Sequence, residues 1–134
     1  MSMPDIQTVM TPMPHSIEAG ANLVEAQNLM QSQGIRHLPV TRDGELVGLL
    51  SDRDLRRSFD PMVDMPPLLP VGDVMVDDDL YIVPAEAPLD EVLETLAKRR
   101  IGCALIRGES GLSGIFTTTD ATRMLAEHLR ELHR

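Results

Sequence analysis

Two stretches of this chain repeat each other at a fixed distance. Gly48-Leu49-Leu50-Ser51-Asp52-Arg53-Asp54 returns as Gly114-Ile115-Phe116-Thr117-Thr118-Thr119-Asp120, a shift of 66 residues. Both read glycine, two apolar residues, a hydroxyl residue, two free positions and aspartate. The same shift carries Leu23 onto Leu89 and Met30 onto Leu96, and Val9-Met10 matches Val74-Met75 one residue out of step. A unit of about half the chain is too long for a solenoid repeat. The pattern predicts two copies of one small unit packed on each other, so that a ligand between them would meet paired chemistry. With 134 residues in all, each copy alone is near the lower limit for a stable core, and a shared core is expected.

Composition narrows the function classes. Aromatics are only 2% and Trp is absent, so Leu, Val, Ile and Met must fill the core. The formal net charge of −9 argues against a nucleic-acid partner, because phosphate binding needs a cationic face. It argues equally against an anionic membrane surface. Positive charge is almost all arginine, with Lys98 the one lysine, and arginine suits bidentate phosphate contact. The chain shows no apolar run of membrane-spanning length and no basic-then-apolar leader, so a cytoplasmic location is expected. Cys103 is the single cysteine, which fits a reducing compartment.

Periodicity lays out the same elements twice. Met1 to Thr8 reads as a lead-in, Thr11-Pro12-Met13-Pro14 as a turn and His15-Ser16-Ile17 as a short strand. Asn22 and Glu25 form a capping-box pattern ahead of an apolar face of Leu23, Ala26 and Met30, and Gly34 stands at the stop. His37 to Thr41 and Leu46 to Leu50 predict a hairpin, with a helix from about Ser51. The second copy predicts a strand at Tyr81-Ile82-Val83 and a helix with Pro88 at its first position. Strands follow over Ile101 to Ile106 and Leu112 to Phe116. The last helix runs from near Thr117 towards Arg134, with an apolar face of Ala121, Met124, Leu125, Leu129 and Leu132. Residues 1–58 form the first repeat, 59–72 an apolar, proline-rich linker and 73–134 the second repeat.

The hydroxyl and aspartate three residues apart carry the chemistry. A helix N-terminus offers free N–H groups and partial positive charge, which attract phosphate. Ser51 or Thr117 adds a hydroxyl there, and Asp54 or Asp120 can accept hydrogen bonds from a ribose diol. The same pattern is an ordinary helix cap, the better account of a single copy; two copies at matching positions favour binding. Asp77-Asp78-Asp79 points its side chains in different directions, unlike a metal loop with alternating ligands, so no metal site is expected. No spacing of acids supports a catalytic pair, and Cys103 in an apolar strand reads as an inert core residue.

The order strand, helix, strand, strand, helix, twice, with Gly-x-x-Ser/Thr-x-x-Asp at each last strand-to-helix junction, resembles the cystathionine β-synthase (CBS) domain pair, or Bateman module. The residues that carry the resemblance are Val9-Met10-Thr11-Pro12, Gly34-Ile35-Arg36-His37-Leu38-Pro39-Val40, Gly48 to Asp54, Val74-Met75 and Gly114 to Asp120. It covers nearly the whole chain. It implies an α/β (α+β) fold of tandem β-α-β-β-α repeats packed pseudo-symmetrically as one module, and a homodimer of modules. It also implies an adenine nucleotide or related adenosyl ligand, sensed without catalysis. AMP, ADP and ATP fit, as do NAD and S-adenosylmethionine; no catalytic cofactor is implied.

Carried over residue by residue, the resemblance gives two sites. One combines Thr117, Thr119 and Asp120 with Arg36, His37, Leu38 and the early residues Thr11, His15 and Ile17. The other combines Ser51, Arg53 and Asp54 with Ile82, Val83, Gly102 and Cys103. Arg36 and His37 become Gly102 and Cys103 at the 66 shift, and acids gather at Asp77 to Asp79, so the first site should hold an anionic ligand more strongly. For His37, a place in the core beneath the sheet is the competing account. The rival function is an adaptor with vestigial nucleotide sites that regulates an enzyme or transporter by contact.

Overall fold

The computed structural model of the chain describes residues 2–12, 14–59 and 68–134. Its elements in order are strands β1 (Thr11–Pro12) and β2 (Ile17–Glu18), helix α1 (Leu23–Gln33), strands β3 (His37–Arg42) and β4 (Glu45–Ser51), and helix α2 (Asp52–Arg57). Then come β5 (Ile82–Pro84), α3 (Leu89–Arg99), β6 (Cys103–Gly108), β7 (Gly111–Thr117) and α4 (Thr118–Leu132). Two sheets and four helices among the described residues make a mixed α+β protein, with strand, helix, strand, strand, helix occurring twice as expected.

Local chemistry sets the bounds of these elements. Asn22 caps α1, its Oδ1 accepting from the Glu25 N–H at 2.9 Å. Gly34 ends that helix in the left-handed region at φ 64°. Pro88 lies just outside α3, not at its first position as expected, because its ψ of 135° is extended. Asp43 and Gly44 both have positive φ, 52° and 83°, as a tight turn between twisted antiparallel strands requires.

The chain forms two compact units, Met1–Pro14 with Tyr81–Arg134, and His15–Leu80. In the first unit the sheet order is β1-β7-β6-β5. β1 pairs antiparallel with β7, Thr11 opposite Ile115 and Pro12 opposite Gly114. The Ile6 N–H donates to the Ala87 carbonyl at 2.8 Å and the Leu89 N–H to the Pro4 carbonyl at 2.9 Å. Ile6 is fully buried in a cluster with Val83, Leu89, Val92, Leu96, Ala104, Ile106 and Phe116. The stretch expected as a lead-in and turn is therefore a built part of the second repeat's unit. A pairing partner about a hundred residues away leaves no local periodicity, which is why the short apolar stretch read as a loop.

The second unit mirrors this. Its sheet order is β2-β3-β4, with β2 parallel to β3. Val76 and Leu49 exchange both backbone hydrogen bonds, at 2.8 and 2.9 Å, so the chain after the linker adds an edge beside β4. Val71 is fully buried in a cluster with Leu23, Ala26, Met30, Leu38, Val40, Leu50 and Leu55. Residues 60–67 of the expected linker lie outside the described residues. The described residues hold two hydrophobic clusters, one in each unit, where one shared core was expected. The physical reason is the exchange of segments: Ile6 and Val71 each help close a core that one repeat's own helices and strands would leave incomplete.

Candidate functional site

The two hydroxyl–aspartate pairs sit where β7 runs into α4 and β4 into α2. Thr117 Oγ1 accepts from the Asp120 N–H at 3.1 Å. Asp120 Oδ2 accepts in return from the Thr117 N–H at 2.9 Å and the Thr117 hydroxyl at 3.0 Å. Ser51 Oγ accepts from the Asp54 N–H at 3.1 Å, and Asp54 Oδ2 accepts from the Ser51 hydroxyl at 2.8 Å and the Ser51 N–H at 3.4 Å. Each pair is a complete capping box, satisfying donors that a helix start leaves open. Capping does not exhaust the carboxylates. An ionised carboxylate has about four acceptor positions; Asp54 uses two of them, both on Oδ2, for Ser51.

Asp120 is the one buried charged residue among the described residues, at 8% exposure. Its Oδ1 accepts from Arg123 Nη2 at 2.7 Å. Arg123 was missed in the sequence, although acid and base three apart on a helix are neighbours by geometry. Missed too was the use of the Val-Met repeat. A Cβ added at Gly48 would meet Met75 Sδ at 2.5 Å, and one added at Gly114 would meet Met10 Sδ. Each motif glycine thus makes room for a repeated methionine.

Each unit gathers part of both expected sets. Thr11, Thr117, Thr119 and Asp120 lie in the first unit, with Ile82, Val83, Gly102 and Cys103. Cys103 stands opposite Thr117 in the β6–β7 ladder, and the Gly102 carbonyl accepts from the Thr118 N–H at 3.0 Å. His15, Ile17, Arg36, His37, Leu38, Ser51, Arg53 and Asp54 lie in the second unit. His37 stands opposite Ser51 in the β3–β4 ladder, and the Arg36 carbonyl accepts from the Asp52 N–H at 2.9 Å. Ile17, Leu38 and Val83 are buried in the two clusters, whereas Thr11, His15, Arg53 and Thr119 are exposed.

Burial holds the His37 imidazole below its ordinary pKa of 6.5; the charges of Asp52 and Asp54 raise it by less, and Arg36 lowers it further. The ring is neutral at pH 7. Burial pushes the Cys103 thiol up to about 12, far from a reactive thiolate. Asp77, Asp78 and Asp79 are exposed, and no group of three or more His, Cys, Asp or Glu among the described residues is placed to hold a metal ion. No helix among the described residues is long and apolar enough to cross a membrane.

This duplicated unit, with a capping aspartate at each last strand-to-helix junction, is the CBS domain pair. The CBS domain model matches residues 5–60 and 71–127, and the chain belongs to that family. In fold it is similar to the acetoin utilization protein AcuB of Vibrio cholerae, at TM-score 0.84 and 30% identity, covering 98% of this chain and 96% of that one. It is also similar in fold to CBSX2, solved in complex with AMP, at TM-score 0.79 and 22% identity, covering 92% of this chain and 97% of that one. In sequence it is 29% identical over 116 residues to inosine-5′-monophosphate dehydrogenase of Halalkalibacterium halodurans, covering 84% of this chain. It spans only 22% of that enzyme's length. CBS pairs are regulatory modules, and some of this chain's structural relatives hold adenosine ligands.

Proposed function

We propose that this chain senses an adenine nucleotide and catalyses no reaction of its own. The observation that carries this reading is the doubled hydroxyl–carboxylate box, with acceptor capacity left on each aspartate after capping. In this reading Asp120 and Asp54 receive ribose hydroxyls, while Thr117 and Ser51 stand at helix starts that favour the ligand's negative charge. Arg36 and His37 keep the phosphate-facing role that the family resemblance gives them. AMP, ADP or ATP is the proposed ligand, with NAD and S-adenosylmethionine as alternatives. The proposed compartment is the cytoplasm, in keeping with the single, buried Cys103. A fractionation assay that found the protein outside the cytoplasm would remove that assignment.

The adaptor reading also has an observation behind it. Leu125, Leu129 and Leu132 are 58%, 47% and 63% exposed on α4, at helical spacing. We assign this stripe to a homodimer contact, and light scattering should report twice the chain mass; a monomer with and without ligand would remove the assignment. Sensor and adaptor separate in a thermal-shift screen of the five ligands. A ligand that binds only the native state stabilises it by about 2.7 kcal/mol at a hundredfold excess over Kd. The sensor predicts a raised Tm with at least one adenine nucleotide, recovered chemically unchanged. No shift with any of them would leave the adaptor.

A further inference from the structure

We propose that Arg123 is a latch on the ribose-binding carboxylate, and that it sets how tightly this site takes a ribose ligand. The inference rests on the assignment of Asp120 to ribose. Asp120 Oδ2 already receives the Thr117 N–H and the Thr117 hydroxyl, both from its own helix cap, at 2.9 and 3.0 Å. Only Oδ1 retains room for an incoming hydroxyl, and Arg123 Nη2 stands on it at 2.7 Å. The Asp120 side chain is 12% exposed, so little of it can be approached around the arginine, which itself is 59% exposed. A ribose diol reaches the carboxylate by taking the place of the guanidinium, which moves into water at small cost because it is already mostly solvated.

The other repeat shows the unlatched arrangement. Arg57 occupies the position equivalent to Arg123 at the 66 shift, yet among the described residues no ion pair or hydrogen bond joins it to Asp54. Asp54 spends only Oδ2 on its cap, and no donor among the described residues stands on its Oδ1. The latch is therefore a property of one copy and makes the two carboxylates unequal before any ligand arrives.

The test uses adenosine and AMP, which share the ribose diol and differ in charge, with calorimetry on wild type, Arg123→Gln, Arg57→Gln and Asp120→Asn. A part-buried ion pair whose arginine is mostly solvated, and which must open for binding to occur, weakens binding by about two- to fivefold. Arg123→Gln should tighten both ligands by that factor, and Arg57→Gln should leave both unchanged. Raising the ionic strength should narrow the difference between wild type and Arg123→Gln for uncharged adenosine, because salt already weakens the pair. Unchanged adenosine affinity in Arg123→Gln overturns the latch. So does weaker AMP binding with unchanged adenosine binding, which would make Arg123 a phosphate contact. If Asp120→Asn binds both ligands as wild type does, the ribose assignment itself fails, whichever way Arg123→Gln behaves.

Discussion

At the scale of single residues, His37 reports what burial does to a charge-bearing group. Its folded-state pKa is depressed by burial, while the unfolded chain keeps a value near 6.5. Below that value the unfolded state binds more protons, so stability rises with pH there. The His37 contribution is fully present above 6.5 and is lost as pH falls from 6.5 towards the lower folded value. Replacing His37 with Gln removes this dependence. The Tm of wild type should fall relative to His37→Gln as pH drops from about 7.5 to about 5.5. A constant difference across that range would mean that His37 is not held neutral by its surroundings. The sequence left His37 between a core and a phosphate-facing role. Its pairing opposite Ser51 beside Asp52 and Asp54 shows why alternation alone could not decide: it is half-buried, next to acids supplied by the following helix. Asp120 carries a similar lesson. Alanine there would remove the cap bonds to Thr117 as well as any ribose contact, so binding and folding would fall together. Asparagine keeps one oxygen for the Thr117 N–H and separates the two.

The repeated elements explain each other through a steric match. Gly48 and Gly114 recur at the 66 shift because Met75 and Met10 fill the space a side chain would need. The two sites differ in how they can relax. At Gly114 the three nearest atoms all belong to the Met10 side chain, which can rotate away. At Gly48 the Val76 carbonyl also lies 2.9 Å from an added Cβ, and that carbonyl is fixed by its bond from the Leu49 N–H. Gly48→Ala should therefore cost about 1–3 kcal/mol, and Gly114→Ala less. Denaturant melts would show this order, and Met75→Ala should restore only part of the Gly48→Ala loss. Equal costs would place the strain on the methionines alone. Apart from β1 and the cap of α3, the strands, helices and caps of both repeats were legible in the sequence because each has a local signature: Asn22 and Gly34 for α1, Asp43-Gly44 for the hairpin, Ser51 and Thr117 for α2 and α4. The crossing of the opening segments was not. The Ile6 N–H reaches the Ala87 carbonyl and the Val71 N–H the Ala21 carbonyl, partners tens of residues away that no local pattern names. The Arg123 bond to Asp120 had a local signature in its spacing, but spacing alone does not distinguish a pair that forms from the matching Arg57 that leaves Asp54 alone.

For the molecule as a whole, the proposed reading is that duplication creates two candidate ribose sites and divergence makes them unequal. The difference has two opposing parts. Arg36 and His37, which the resemblance assigns to the Thr117 and Asp120 site, have the uncharged counterparts Gly102 and Cys103. A charged hydrogen bond is worth roughly 1.5–3 kcal/mol, so losing one separates affinities for an anionic ligand by tenfold or more. The Arg123 ion pair acts against that preference, but its guanidinium is already mostly solvated, so opening the part-buried pair costs only about 0.2–1 kcal/mol. The larger effect wins for AMP. Calorimetry should then show one dominant AMP site per chain, removed by Asp120→Asn and largely kept in Asp54→Asn. For adenosine the phosphate term vanishes and the latch remains, so the order should level or reverse, with Asp54→Asn now costing at least as much binding as Asp120→Asn. Two equal AMP sites would sink the assignment of Arg36 and His37. An AMP preference that persists unchanged for adenosine would show that the inequality comes from the ribose and base contacts, and not from the Arg36 charge.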